Sequence, residues 1–170
     1  MTKKIIAVDL DGTLLNSESQ LSDFTKQTIK KVSAKGHKII ITTGRPYRMA
    51  IDYYKELELD TPMINFNGSL THIPNKDWEF EQSVTLDKSY LLDMVKRSEE
   101  IQADFIASEY RKQFYITNTD ESIVNPALFG IKNFSNGHLF KEELVSENPN
   151  ALLLQTRAND KYALAAEMNS

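Results

Sequence analysis

The sequence predicts an α/β fold, a parallel sheet wound with helices, followed by a smaller α+β module. Short, largely apolar runs at residues 5–8, 38–42 and 62–66, the first two rich in β-branched residues, alternate with amphipathic helical patterns. A β-α-β-α-β order of this kind requires parallel strands joined by right-handed crossovers. From residue 69 the rhythm changes to adjacent short strands with helices, which suits antiparallel pairing.

Each element follows from local chemistry. Ile5-Ile6-Ala7-Val8, preceded by Lys3 and Lys4, reads as a strand buried on both faces. Leu14 to Gln20 is a polar turn or flap. Ser22 is placed to cap a helix carrying Phe24, Thr28, Ile29 and Val32 on one face, with Gly36 to end it. Lys38-Ile39-Ile40-Ile41-Thr42 is a second buried strand, and Pro46 opens a helix bearing Met49, Ala50, Tyr53 and Leu57. Pro62 to Phe66 is a third strand. It ends at Asn67-Gly68, a turn dipeptide that marks the hand-over to the second module. Ser69–Ile73 and Trp78–Gln82 flank a Pro74-Asn75-Lys76-Asp77 turn.

Further on, the spacing predicts a helix over 87–101 with Leu91, Met94 and Val95 inward, then strands over 104–109 and 113–118. A weaker helix over 122–131 is interrupted by Pro126. A strand over 151–156 and a helix over 160–168 complete the chain. These elements divide it into domains at residues 1–82 and 83–170.

Composition narrows the function classes. A net charge of −4 with no long basic run argues against a nucleic-acid surface. The absence of cysteine removes disulfides, thiolate metal ligands and thiol nucleophiles, and fits a cytoplasmic address. The apolar run after Lys3-Lys4 is broken at Asp9, too early for a signal peptide, and no segment is long enough to span a membrane. His37, His72 and His138 show no metal-ligand spacing and read as structural or surface residues.

The chemistry concentrates at two strand ends. The first strand runs into Asp9-Leu10-Asp11-Gly12-Thr13. Strand alternation puts Asp9 and Asp11 on one side, where their charges repel unless a cation or a phosphoryl group lies between them. A divalent metal is the simplest answer. Thr42-Thr43-Gly44-Arg45 follows the second strand and precedes a helix, and supplies a hydroxyl, a close-approach glycine and a helix N-terminus for a phosphate. Both stretches lie at carboxyl ends of parallel strands, where open α/β sheets bind ligands. Arg45 alone reads equally well as a local salt-bridge former.

Asp9-Leu10-Asp11-Gly12-Thr13-Leu14-Leu15, Thr43-Gly44-Arg45 and Phe66-Asn67-Gly68-Ser69 together resemble the haloacid-dehalogenase (HAD) superfamily, and within it the Cof-type sugar-phosphate phosphatases. The resemblance implies a HAD-type Rossmann-like parallel sheet, here partial, with an inserted α+β cap domain. It implies Asp9 as nucleophile and Asp11 as general acid and then base. Mg²⁺ would be held by the Asp9 carboxylate and the Asp11 main-chain carbonyl. Thr43, with Gly44 beside it, would hydrogen-bond the phosphoryl group. The implied partner is a small phosphorylated metabolite, with neither nucleic acid nor membrane, and with oligomeric state left open.

The resemblance also implies a lysine and a GDxxND stretch downstream of the cap. Neither is recognisable: the six glycines stand at 12, 36, 44, 68, 130 and 137, and Gln155-Thr156 precedes Asn159-Asp160 where Gly-Asp is required. The expectation is a first part of a longer protein, feeble or inactive alone, with an exposed edge on the Asp9 strand. Two alternatives stay open: phosphotransfer or mutase chemistry on the same scaffold, and a non-catalytic binding fragment.

Overall fold

Five strands form one sheet in the order β1-β2-β3-β4-β5, and three form a second in the order β7-β6-β8. The computed structural model describes residues 2–159, 163, 164 and 166 of the 170. The chain divides into two compact units, Met1–Val84 and Thr85–Ser170.

In the first unit, β1 (Ile5–Val8), β2 (Lys38–Thr42) and β3 (Met63–Asn65) run parallel, with Ile5 opposite Lys38 and Ile41 opposite Met63. The helices α1 (Asp23–Ala34) and α2 (Tyr47–Glu56) make the crossovers. Ser22 caps α1 by accepting from Thr25 N at 3.1 Å, and Gly36 takes φ +85° just beyond its end. After a tight turn at Phe66–Gly68 the chain returns as β4 (Leu70–His72), antiparallel to β3, and β5 (Gln82–Ser83) closes the sheet. The change of rhythm at residue 69 is therefore a hairpin on the same sheet. Its second strand is two residues long, shorter than the Trp78–Gln82 run expected.

The core of this unit joins Leu10, Leu15, Leu21, Ile29, Ile39, Ile41, Ala50, Ile51, Tyr54, Leu57 and Met63. Three expectations need correction. β1 is not buried on both faces: Ile5 is 73% exposed and Ala7 is exposed, while Ile6 and Val8 on the other face pack against the core. Phe24 is 80% exposed, and Thr28 is exposed as well, so α1 buries Ile29 and half-buries Val32. On α2 the buried stripe is Ala50, Ile51 and Tyr54, while Met49 and Tyr53 are half-buried; Pro46 precedes the helix as its cap.

In the second unit, Asp87 caps α3 (Lys88–Lys96), which ends in successive turns rather than running to residue 101. Leu91 is buried with Ile101, Ile106 and Val145. Strand β6 (Ala103–Glu109) lies between β7 (Phe114–Ile116) and β8 (Ala151–Thr156), antiparallel to both. A second cluster packs Phe105, Ala107, Phe114, Ile116, Val124 and Phe129. The helix expected over 122–131 is a single 3₁₀ turn, Pro126–Phe129, because Asn125 caps it and Gly130 ends it at φ +69°. The helix expected over 160–168 falls largely outside the described residues.

Candidate active site

β1 ends at Val8, so strand alternation does not place Asp11; a turn does. Leu14 N donates to Asp9 O at 3.3 Å and Leu15 N to Leu10 O at 2.9 Å, closing one wide loop over Leu10–Leu14. Gly12 turns the chain at φ +70°, a conformation an L side chain disfavours. Leu10, between the two aspartates, is fully buried and anchors the loop in the core. The side chains around it face outward: Asp9, Asp11 and Thr13 are all exposed.

Asp9 Oδ1 accepts from Leu10 N at 2.8 Å, which fixes the carboxylate, and its other oxygen has no partner among the described residues. Asp11 meets Arg45 in a bidentate pair, accepting from Nε at 2.8 Å and from Nη2 at 2.6 Å. These hydrogen bonds hold the Asp11 carboxyl below the usual carboxylate range, against an opposing effect of burial. Arg45 is thus a partner of the first motif and not a local helix-entry charge.

The second strand end delivers the rest. Thr43 is buried, and its hydroxyl accepts from Arg45 N at 3.1 Å, keeping its own proton to donate. Asp9, Thr42, Thr43, Gly44 and Asn67 line one open cavity of about 320 Å³. A side chain at Gly44 would bring its Cβ to 3.0 Å from Asn67 Oδ1, so this wall has room only for glycine unless Asn67 moves. Asp11 is not among the lining residues; the structure brings it to Arg45.

Asn67 is the lining residue that sequence reasoning missed, having read Asn67-Gly68 as a turn. It is a turn, but one with φ +50° at Phe66, +55° at Asn67 and +108° at Gly68. A bulky residue at positive φ is a strained outlier, and such strain costs on the order of 1–3 kcal/mol. The turn is held by Asn67 N donating to Thr43 O at 3.2 Å and Phe66 N to Arg45 O at 3.4 Å. Beneath it, Asn65 is fully buried, donating from Nδ2 to Arg45 O at 3.0 Å and meeting His72 Nε2 through Oδ1 at 3.0 Å. The rings of Tyr47 and His72 lie 5.3 Å apart, edge to face.

A sequence model of haloacid dehalogenase-like hydrolases matches residues 6–170, including both strand ends that build this cavity. The chain belongs to that family. The haloacid dehalogenase-like relatives include 5-amino-6-(5-phospho-D-ribitylamino)uracil phosphatase YitU of Bacillus subtilis, 31% identical over 165 residues, which are 97% of this chain and 60% of that protein. Pyridoxal phosphate phosphatase YbhA of Escherichia coli is 39% identical over 69 residues, 41% of this chain and 25% of that protein. The chain therefore spans about 60% of the length of the first of these relatives. Among solved structures, a protein from Geobacillus kaustophilus superposes with a TM-score of 0.77 at 20% identity, over 99% of this chain and 63% of its own. A HAD-superfamily phosphatase from Bacteroides thetaiotaomicron gives 0.69 at 20% identity, over 99% and 60%. These structures share the mixed α/β fold with its parallel sheet.

Among the described residues no helix is long and apolar enough to cross a membrane. No group of three or more His, Cys, Asp or Glu side chains there is placed to hold a metal ion. The exposed loop carries the Asp9 carboxylate and, two residues on, the Asp11 main-chain carbonyl, the oxygen donors that the family resemblance implies. That set fits Mg²⁺, which binds hard oxygens through one or two carboxylates and keeps several of its waters. It does not fit a cation that demands a full protein cage.

Proposed function

We propose that this chain carries the phosphoryl-transfer site of a Mg²⁺-dependent phosphomonoester hydrolase. Its substrate is a small phosphorylated metabolite of the sugar-phosphate kind, and it works in the cytoplasm through an aspartyl-phosphate. Residues 1–82 are assigned as the catalytic core and 83–170 as the cap. One observation carries the reading: Asp9, Thr43 and Gly44, from two separate strand ends, line the same cavity. The named activities of the relatives, both phosphatases, agree with it.

The proposed roles are those the family resemblance implies for these residues. The free oxygen of Asp9 attacks phosphorus as the bond from phosphorus to the ester oxygen breaks, and Asp11 gives its proton to the departing oxygen. In the second step Asp11 takes a proton from water, whose oxygen attacks phosphorus. The Asp9–phosphorus bond breaks and inorganic phosphate leaves. Asp11, ionised in the Arg45 fork, is in the form the second step needs. The first step requires one of the two guanidinium bonds to open so that the carboxyl can carry a proton. Thr43 donates its hydroxyl to a phosphoryl oxygen, and Gly44 leaves space for that oxygen against the main chain. Mg²⁺ at the Asp9 carboxylate and Asp11 carbonyl would supply charge neutralisation across the phosphoryl oxygens.

The test is phosphate release from an aryl phosphate with Mg²⁺. The proposal expects feeble turnover in the 170-residue chain, detectable at high protein concentration, and none in Asp9→Asn. Turnover that survives this substitution contradicts it. A second reading, ligand binding without turnover, is favoured because, among the described residues, no group of three or more acidic or histidine side chains is placed to hold the cation. It predicts that phosphate raises the melting temperature while no ester is cleaved at high protein concentration.

A further inference from the structure

The Asp11 carboxylate is 56% exposed at the tip of a loop, where an unassisted side chain would sample several rotamers. It is instead held at both oxygens by a guanidinium only 18% exposed. That guanidinium is itself held. Its Cζ lies 5.5 Å from the centre of the Tyr53 ring, and the Tyr53 hydroxyl donates to Ser19 O at 2.7 Å, in the turn after β1. Its main chain is fixed from both sides, by Arg45 N on the Thr43 hydroxyl and by the buried Asn65 amide on Arg45 O. One aromatic contact and two main-chain hydrogen bonds thus converge on one arginine that spans both strand ends.

We propose that Arg45 is a positioning residue that aims the Asp11 carboxylate, and that Tyr53 holds Arg45 in place while tying it to the Asn16–Gln20 turn. The catalytic part of this inference rests on the phosphatase reading; the coupling of Arg45 to Asp11 and Tyr53 does not. A lysine cannot substitute, because it lacks the planar fork that engages both carboxylate oxygens and stacks on a ring.

The coupling is read first without turnover, from the ¹H–¹⁵N signal of Arg45 Nε in the 170-residue chain. The expected result is an exchange-protected Nε–H resonance that moves in Asp11→Asn and in Tyr53→Leu, while the Arg97 Nε resonance, which reports the separate Arg97–Glu100 pair, stays put. An Arg45 resonance indifferent to both substitutions overturns the proposal. Kinetics then test the aiming. Arg45→Ala lowers kcat on an aryl phosphate by about 10–100-fold with KM changed by less than about threefold, the signature of a misplaced catalytic group. Arg45→Lys recovers at most about a tenth of the lost rate. Unchanged kcat in Arg45→Ala, or full rescue by lysine, overturns the proposal. Coupled resonances in a chain that hydrolyses nothing would contradict the phosphatase reading and leave the coupling standing.

Discussion

Leu10 separates the two aspartates, and removing its side chain tests how the site is held. It is fully buried in the core that includes Leu15, Leu21, Ile29, Ile39 and Ile41. Leu10→Ala removes that anchor and leaves a cavity, which costs about 2–5 kcal/mol for a buried leucine. The low end applies if the Leu10–Leu14 loop, closed by two local bonds between residues five apart, relaxes into the space. A central value of about 3 kcal/mol is large against a total stability of about 5–15 kcal/mol. The chain has one tryptophan, Trp78, within the first unit, so its fluorescence follows that unit's unfolding in urea. The midpoint is expected to fall by about 1–3 M, from urea slopes of about 1–3 kcal/mol per molar. Phe24→Ala is the control, since Phe24 is 80% exposed, and is expected to change stability by less than about 0.5 kcal/mol. A Leu10→Ala loss below about 1 kcal/mol would refute the claim that burial of this residue sets the loop.

Other substitutions probe separate parts of the same architecture. Gly12→Ala meets no atom within 4 Å, so its whole cost is conformational; at φ +70° it should destabilise by about 1–2 kcal/mol in the same assay. Asn65→Ala strips a fully buried amide from Arg45 O and His72, with an expected loss of about 1–3 kcal/mol by urea unfolding. Asp11 is ionised more readily folded than unfolded, so its stabilisation is fully present above the unfolded pKa and lost as pH falls through the lower, folded value. Wild type should exceed Asp11→Asn by about 0.5–1 kcal/mol near pH 6, a modest figure because the carboxylate is more than half exposed, and the gap should close below about pH 4. A gap that widens on acidification would reverse the assignment.

Much of the first unit was legible because its signals are local. Ser22, Gly36 and Gly12 announce a cap, a stop and a turn through their own backbone chemistry. β1 was legible in part: the missing downstream stretches foretold the edge position it holds among the described residues, while its apolar run alone did not say that only the Ile6 and Val8 face would be covered. On α2 the apolar residues at 49, 50, 51, 53, 54 and 57 allow two neighbouring stripes, and contact with the sheet selects Ala50, Ile51 and Tyr54. The Asp11–Arg45 pair links positions 34 apart, beyond any local periodicity. Asn67 escaped because its place at the cavity follows from positive φ at Phe66, which no propensity for phenylalanine foretells. The pattern Asp-x-Asp-Gly beside Thr-Gly-Arg pointed to two strand ends that the fold brings to one cavity; it did not say which of those side chains face that cavity and which face each other.

In the proposed reaction Asp9 is the residue that takes phosphorus. Acid quenching during turnover of an aryl phosphate with Mg²⁺, followed by borohydride reduction and peptide mass spectrometry, reads that bond directly, since an acyl phosphate is reduced where a carboxylate is not. The predicted result is reduction at Asp9 alone, and none in Asp9→Asn. Phosphate release with Asp9 never labelled, or a label at another carboxylate, would contradict it.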